Sequence, residues 1–72
     1  MKPRVYITAH TNQGTFSGFF GDEVIETRED AVRLIDELVD AKLDYIVIED
    51  KGVRTMLNAN ILKDSVLQFS IL

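Results

Sequence analysis

The stretch VYITAHTNQGTFSGFF, from Val5 to Phe20, decides how the fold begins. Val5 to His10 alternates apolar residues with polar or amphipathic ones, which is typical of a half-buried strand. Thr15 to Phe20 is predicted to be a second strand. The segment between them contains asparagine and glycine, which tolerate the backbone angles of a tight turn. The stretch therefore predicts a β-hairpin.

Two registers of this hairpin are open, and they differ in which side chains share a face. A three-residue loop sets His10 opposite Phe16 and mixes polar with apolar residues on each face. A four-residue loop, Thr11 to Gly14, sets His10 opposite Thr15. This register places most of the apolar residues on one face and most of the polar residues on the other. Because a slip of one residue moves a whole strand to the other face, we predict the four-residue loop. One face then holds Val5, Ile7, Ala9, Phe16 and Phe20, and the other holds Tyr6, Thr8, His10, Thr15, Ser17 and Phe19.

A helix is predicted to begin at Thr27 and to end near Ala41–Lys42. Apolar residues recur within it at helical spacing. The Thr27 hydroxyl can cap the first turn, and Asp30, three positions later, offers the partner of a capping box. These signals indicate one amphipathic helix after the first hairpin.

A second hairpin is predicted from Asp44 to Leu57. The run DYIVIE, Asp44 to Glu49, has the strongest strand character in the chain. A two-residue loop at Lys51–Gly52 sets Glu49 opposite Arg54, which is a favourable cross-strand pair. Asn58 to Asn60 then interrupts the pattern, and the alternating run Val66 to Leu72 predicts a last strand tied into the sheet.

The predicted order is β-β-α-β-β-β, with short connections. This order implies an α+β domain, an antiparallel sheet that is either open or strongly curved, with one helix packed on a face. The whole chain, residues 1–72, is expected to form a single compact domain. A domain of this size buries only about 60 % of the surface of its extended chain, so its stability is low and is usually supplemented by a disulfide, a metal or a partner chain.

Composition excludes several of these devices and several partners. The 72 residues include no cysteine and one histidine, which argues against disulfides, thiolate chemistry and a zinc site. The net charge is −4 and the positive residues are scattered, so nucleic-acid binding is not expected. No apolar run has the length of a membrane span and no leader is recognisable, which predicts a cytoplasmic protein without membrane contact.

Apolar residues occur on both faces of the predicted strands. One helix can cover only part of one face, so the residues on the other face need a second explanation. Either the sheet curls into a partial barrel that buries them, or another chain covers them. We predict a homodimer through the sheet face or an edge strand, since two-fold dimers are the commonest assemblies. The residues concerned are Tyr6, Phe19, Tyr45, Val47, Met56, Val66 and Leu72.

No catalytic or cofactor-binding motif is recognisable. The Thr11–Gly14 turn lacks the spacing of a phosphate-binding loop. Ser17, His10 and Asp22 supply the residue types of a catalytic triad, but no nucleophile elbow surrounds Ser17. We therefore predict no catalytic residue, no metal site and no cofactor. The candidate ligand or interaction face comprises Tyr6, Thr8, His10, Ser17 and Phe19.

The predicted function is a small non-enzymatic binding or regulatory module that acts through protein contact. The Asn-Ala-Asn segment between the last two strands resembles the close of many small prokaryotic and phage-borne reading frames. This segment is too short to imply an activity; the size, the mild acidity, the lack of a catalytic motif and the surplus of apolar surface suggest a phage- or prophage-type accessory protein as one form of this module. The alternative is a small-molecule binder whose pocket, at a dimer seam, mixes the apolar and polar residues of the candidate face.

Overall fold

The computed structural model describes residues 2–21, 25–40 and 44–72. Five strands form one antiparallel sheet in the order β4-β3-β2-β1-β5, and this open order does not close into a barrel. The predicted α+β class is confirmed, with one more helix than expected. The elements are β1 (Val5–Thr11), β2 (Gly14–Phe20), α1 (Arg28–Asp40), β3 (Tyr45–Asp50), β4 (Val53–Asn58), α2 (Ala59–Lys63) and β5 (Val66–Ile71).

The register predicted for the first hairpin is confirmed, but its loop is shorter than predicted. His10 pairs with Thr15, and the ladder continues to a pair between Thr11 and Gly14. The Thr11 hydroxyl accepts from the Gln13 amide at 3.1 Å and donates to the Gly14 carbonyl at 2.7 Å. Gly14 has a φ of 128°, a conformation that suits glycine. These contacts draw Thr11 and Gly14 into the strands and leave two residues in the turn.

The second hairpin has the predicted two-residue loop. Glu49 pairs with Arg54, and Ile46 pairs with Leu57. Lys51 has a φ of 53° and Gly52 a φ of 78°. Positive φ at both central residues belongs to a type I′ turn, whose twist matches that of the flanking strands. Lysine is an unfavourable residue at the first of these two positions.

Replacing Lys51 with asparagine should therefore stabilise the fold, because asparagine tolerates the left-handed conformation. We expect the free energy of unfolding to rise by about 1 kcal/mol. Lys51→Gln is the matched control, since it removes the same charge and keeps the unfavourable conformation. Urea unfolding followed by circular dichroism measures both variants. A midpoint for Lys51→Asn no higher than that for Lys51→Gln would contradict the expectation.

Helix α1 begins with the predicted capping box. The Thr27 hydroxyl accepts from the Asp30 amide at 3.2 Å, and the Asp30 carboxylate accepts from the Thr27 amide at 3.3 Å. These two contacts satisfy backbone donors that the first turn leaves free. The helix is described as far as Asp40, and its predicted end near Ala41–Lys42 lies outside the described residues.

The predicted interruption after β4 is a second, short helix. The Asn58 side chain accepts from the Ile61 amide at 3.1 Å and caps α2. The Ser65 hydroxyl donates to the Ile61 carbonyl near the end of α2. The predicted interruption is confirmed, but the predicted element order lacks this helix, because five residues are too few to display helical periodicity. The connection through α2 joins β4 to β5, which lie at opposite edges of the sheet.

The core lies between the sheet and the two helices. Its sheet side is built on β1, whose Val5, Ile7 and Ala9 are fully buried. Ala31 is the buried residue of α1, and side chains of both helices pack around this centre. The remaining buried core residues are Ile25, Ile46, Ile48 and Leu57. Both helices in the described residues pack on this side of the sheet, so its opposite side is the face without helical cover.

Candidate functional site on the open face of the sheet

The open face is the side of the sheet that points away from the buried core. Strand pairing places Tyr6 beside Phe19, Thr8 beside Ser17 and His10 beside Thr15 on this side. All five residues of the predicted ligand or interaction face therefore lie together, as the first hairpin's register requires. Whether this face binds a ligand stays a prediction.

Polar side chains on β2, β1 and β5 hydrogen bond with one another across the open face. His10 Nε2 lies 2.9 Å from Gln68 Oε1, and the Thr15 hydroxyl lies 3.5 Å from His10 Nδ1. The Ser17 hydroxyl donates to the Thr8 hydroxyl at 3.4 Å. A neutral imidazole protonated at Nε2 fits both contacts of the histidine. The polar groups of the candidate face thus already have partners within the chain.

The aromatic residues of the first hairpin on this face also make contacts within the chain. The Tyr6 and Phe19 rings meet edge to face with centroids 4.9 Å apart, and the Arg4 guanidinium lies 3.9 Å above the Phe19 centroid. The Tyr6 hydroxyl donates to Asp50 Oδ2 at 3.3 Å. Edge-to-face and cation–π contacts each contribute about 0.5–1.5 kcal/mol. Tyr6 and Phe19 are consequently half-buried parts of a fixed cluster.

The exposed apolar surface of the open face lies mainly on the second hairpin. Val47 pairs with Met56, and Tyr45 lies two positions along β3 on the same side. Tyr45 is 57 % exposed, Val47 36 % and Met56 63 %. We call these three residues the β3–β4 patch. Val66 and Leu72, 62 % and 65 % exposed, lie on the same face at the β5 edge.

The sequence indicated that these residues were apolar and on a strand face, but it did not single them out as the interaction site. Alternation in β3 already separates Tyr45 and Val47 from the buried Ile46 and Ile48. What alternation could not show is that the aromatic residues of the first hairpin cover one another. For that reason the β3–β4 patch is more exposed than the aromatic residues of the first hairpin.

A cavity of about 530 Å³ lies where β2 and β3 separate. In the described residues, these strands pair through Phe19 with Glu49 and Phe20 with Ile48. Of the predicted candidate face, Phe19 alone lines this cavity. Arg54 Nε lies 3.5 Å from Glu49 Oε1 at its wall, and both side chains are at least half exposed. The lining residues are Phe19, Phe20, Gly21, Tyr45, Ile46, Val47, Glu49 and Arg54.

No hydrogen bond among the described residues joins His10 to Ser17. His10 contacts Gln68 and Thr15, and Ser17 contacts Thr8. Asp22 lies outside the described residues. Across residues 2–21, 25–40 and 44–72, no three histidine or acidic side chains form a group that could hold a metal ion.

Comparisons of the chain with known protein families, with curated proteins and with solved structures gave no match. Neither helix in the described part of the chain has the length and apolar character needed to cross a membrane.

Proposed function

We propose that the chain is a small non-enzymatic binding or regulatory module that acts as a homodimer and contacts another protein through the open face. The observation that carries this proposal is the β3–β4 patch, in which Tyr45, Val47 and Met56 lie side by side and exposed. Contiguous apolar side chains on a surface are typical of an interaction site. The open order of the strands supports the same conclusion, because no barrel closes over this face.

The surroundings of the patch suit contact with a protein. Arg54 and Glu49 form an exposed ion pair beside it, and Asn58 lies opposite Tyr45. Protein interfaces commonly combine an apolar centre containing tyrosine and methionine with a polar rim. An exposed ion pair adds little to stability. Its value here is to orient a partner.

The non-enzymatic role is supported by the way His10 and Ser17 are held. Both side chains contact neutral amide or hydroxyl groups within the sheet. A general base needs a defined orientation toward the proton that it removes. The contacts of His10 instead join neighbouring strands, which is a structural role. The small size and mild acidity suit a cytoplasmic accessory protein of phage or prophage type.

Replacing Met56 with glutamate should abolish partner binding without unfolding the chain. Met56 is 63 % exposed, so the charge stays in water in the free protein and becomes buried only in a complex. Immobilised wild-type and variant proteins are compared for the proteins that each captures from a prokaryotic lysate. Circular dichroism verifies that the variant is folded.

Val39→Glu is the matched control for this experiment. Val39 is 65 % exposed on α1, on the other side of the molecule, and receives the same charge. We expect Val39→Glu to capture the same proteins as wild type and Met56→Glu to lose them. Equal capture by the two variants, or no reproducible capture by wild type, would count against protein contact through this patch.

The alternative function, a small-molecule binder, is favoured by the cavity between β2 and β3. Its volume of about 530 Å³ is within the range of ligand pockets. Aromatic walls from Phe19, Phe20 and Tyr45, together with the charged Glu49 and Arg54, would suit a planar polar ligand. A thermal-shift screen of nucleotides and metabolites tests this function. Unchanged melting temperatures throughout would argue against it.

A further inference from the structure

Within the part of the chain that the structure describes, the edge strand β5 has backbone hydrogen-bonding groups that no neighbouring strand pairs. Leu72 exchanges two hydrogen bonds with Arg4 of the extended β1 edge, each of 2.9 Å. In an antiparallel ladder, alternate residues point their amide and carbonyl groups to the same neighbour. The groups of Leu72, Ser70, Gln68 and Val66 therefore face β1. Those of Leu67, Phe69 and Ile71 point away from the sheet.

Beta5 itself also lacks three of the features that usually prevent edge pairing. Natural edge strands are protected by charged residues, prolines, bulges or covering segments. The strand VLQFSI contains no charged residue and no proline, and it pairs with β1 without a bulge from Val66 to Ile71. At the opposite edge, β4 carries the charged Arg54. Of the two edges, β5 is the one suited to adding a strand.

The sequence of β5 is symmetric about Phe69 in its pattern of polar and apolar residues. Residues at equal distances before and after Phe69 are either both polar or both apolar. An antiparallel two-fold contact needs this property, because it pairs the strand with its own reverse. In this symmetric arrangement each residue has a counterpart on the same face of the sheet, and the pairs on the core side are apolar. Outward from Phe69, the corresponding residues are Gln68 and Ser70, Leu67 and Ile71, and Val66 and Leu72.

We propose that β5 pairs with β5 of a second copy of this chain, antiparallel, with Phe69 on the two-fold axis. This inference rests on the homodimer in the proposed function and names its seam. Phe69 then exchanges two hydrogen bonds with the partner's Phe69, and Leu67 does so with the partner's Ile71. On the open face, the exposed Val66 meets the partner's Leu72. The two sheets become one continuous sheet.

Other registers match the side chains less well. An axis at Gln68 sets Val66 opposite the partner's Ser70 and Leu72 opposite the partner's Asp64. An axis at Ser70 sets Leu72 opposite the partner's Gln68. A shift by an odd number of residues would pair side chains from opposite faces. The Phe69 axis alone sets an apolar residue opposite an apolar residue and a polar one opposite a polar one at every position from Val66 to Leu72.

The pairing leaves the β3–β4 patch free. Beta3 and β4 lie at the far edge of each sheet from β5, so the two patches occupy the outer ends of the continuous sheet. Self-association and contact with another protein then use different surfaces. This separation allows the two to be tested independently.

Disulfide formation between Gln68→Cys and Ser70→Cys variants tests the register. The chain has no other cysteine, and both positions are exposed. In the proposed register, Gln68 and the partner's Ser70 form a non-hydrogen-bonded pair with Cα atoms about 4.5 Å apart, within disulfide reach. Two copies of the same variant have their cysteines offset by two residues, roughly 8 Å apart and beyond that reach.

We expect the mixed variants, after mild oxidation, to give a species of twice the 8.2 kDa chain mass, and each variant alone to remain at the chain mass. Val66→Cys mixed with Leu72→Cys provides a second pair if one of the first variants misfolds. Self-linkage of Gln68→Cys as fast as the mixture links would overturn the Phe69 axis. Light scattering of wild type across a dilution series accompanies the test.

A Met56→Cys variant distinguishes failure of this inference from failure of the proposed function. If Met56→Cys links to itself while the β5 mixture does not, the β5 seam is wrong and the homodimer stands. If wild type scatters at the mass of one chain at every concentration, both the seam and the homodimer are wrong. The capture experiment with Met56→Glu then decides whether contact with another protein survives.

Discussion

Replacing Ile7 with alanine should lower the free energy of unfolding by about 2–5 kcal/mol. Ile7 is fully buried on β1, which lies between β2 and β5 in the sheet. The truncation removes apolar contacts and leaves a cavity that neighbouring strands cannot fill without giving up their pairing. For 72 residues, a total stability of roughly 4–11 kcal/mol is typical. The loss is therefore a large fraction of the whole.

Urea unfolding at a fixed protein concentration measures this effect. Ile7→Val is included because it should cost only about 0.5–1.5 kcal/mol and stays measurable if Ile7→Ala fails to fold. Val53→Ala is the surface control, since Val53 is 64 % exposed and should change stability by about 0.5 kcal/mol or less. A loss for Ile7→Val no larger than that for Val53→Ala would mean that the core is not centred on β1.

Gly18→Ala should destabilise the chain by about 1–3 kcal/mol through steric conflict. A Cβ atom at position 18 would lie 2.8 Å from the Glu49 amide nitrogen and 3.0 Å from Ile48 Cβ. The nearest obstacle is backbone, which cannot rotate aside as a side chain can. Beta3 would have to move away from β2 at the point where the two strands are paired.

Gly21→Ala is the matched control, because a Cβ at Gly21 would meet no atom within 4 Å. Urea unfolding should separate the two variants. Hydrogen exchange should also show faster exchange at Phe19 and Glu49, which pair across this junction, in Gly18→Ala, since loosening it opens the sheet locally. Similar midpoints for both glycine variants would contradict the close approach of β2 and β3.

The candidate site could be predicted in part. Alternation in the first hairpin placed Tyr6, Thr8, His10, Ser17 and Phe19 on one face, and the structure confirms that they share it. Alternation says nothing about contacts between side chains from distant parts of the chain. The hydrogen bond from His10 to Gln68 spans 58 positions and that from Tyr6 to Asp50 spans 44. Because of such contacts, many side chains of the predicted face already have hydrogen-bond partners within the chain.

The sequence by itself determined the two hairpins and the start of the helix. Each depends on residues close in the chain: the Thr11–Gly14 segment, the Lys51–Gly52 turn, and Thr27 with Asp30. In each hairpin the short turn and the alternation of apolar residues leave one register that keeps the buried face apolar. Local geometry is sufficient for these features.

Tertiary structure alone decided that β5 lies beside β1, that α2 carries the chain from one edge of the sheet to the other, and that Gly18 contacts β3. These arrangements join segments far apart in the sequence. Their selection depends on the total apolar surface buried by the folded chain and on the entropy of closing long loops. Neither quantity can be read from a short stretch of sequence. The strand order and the exposed patch therefore cannot be predicted from local patterns and are known only from the folded structure.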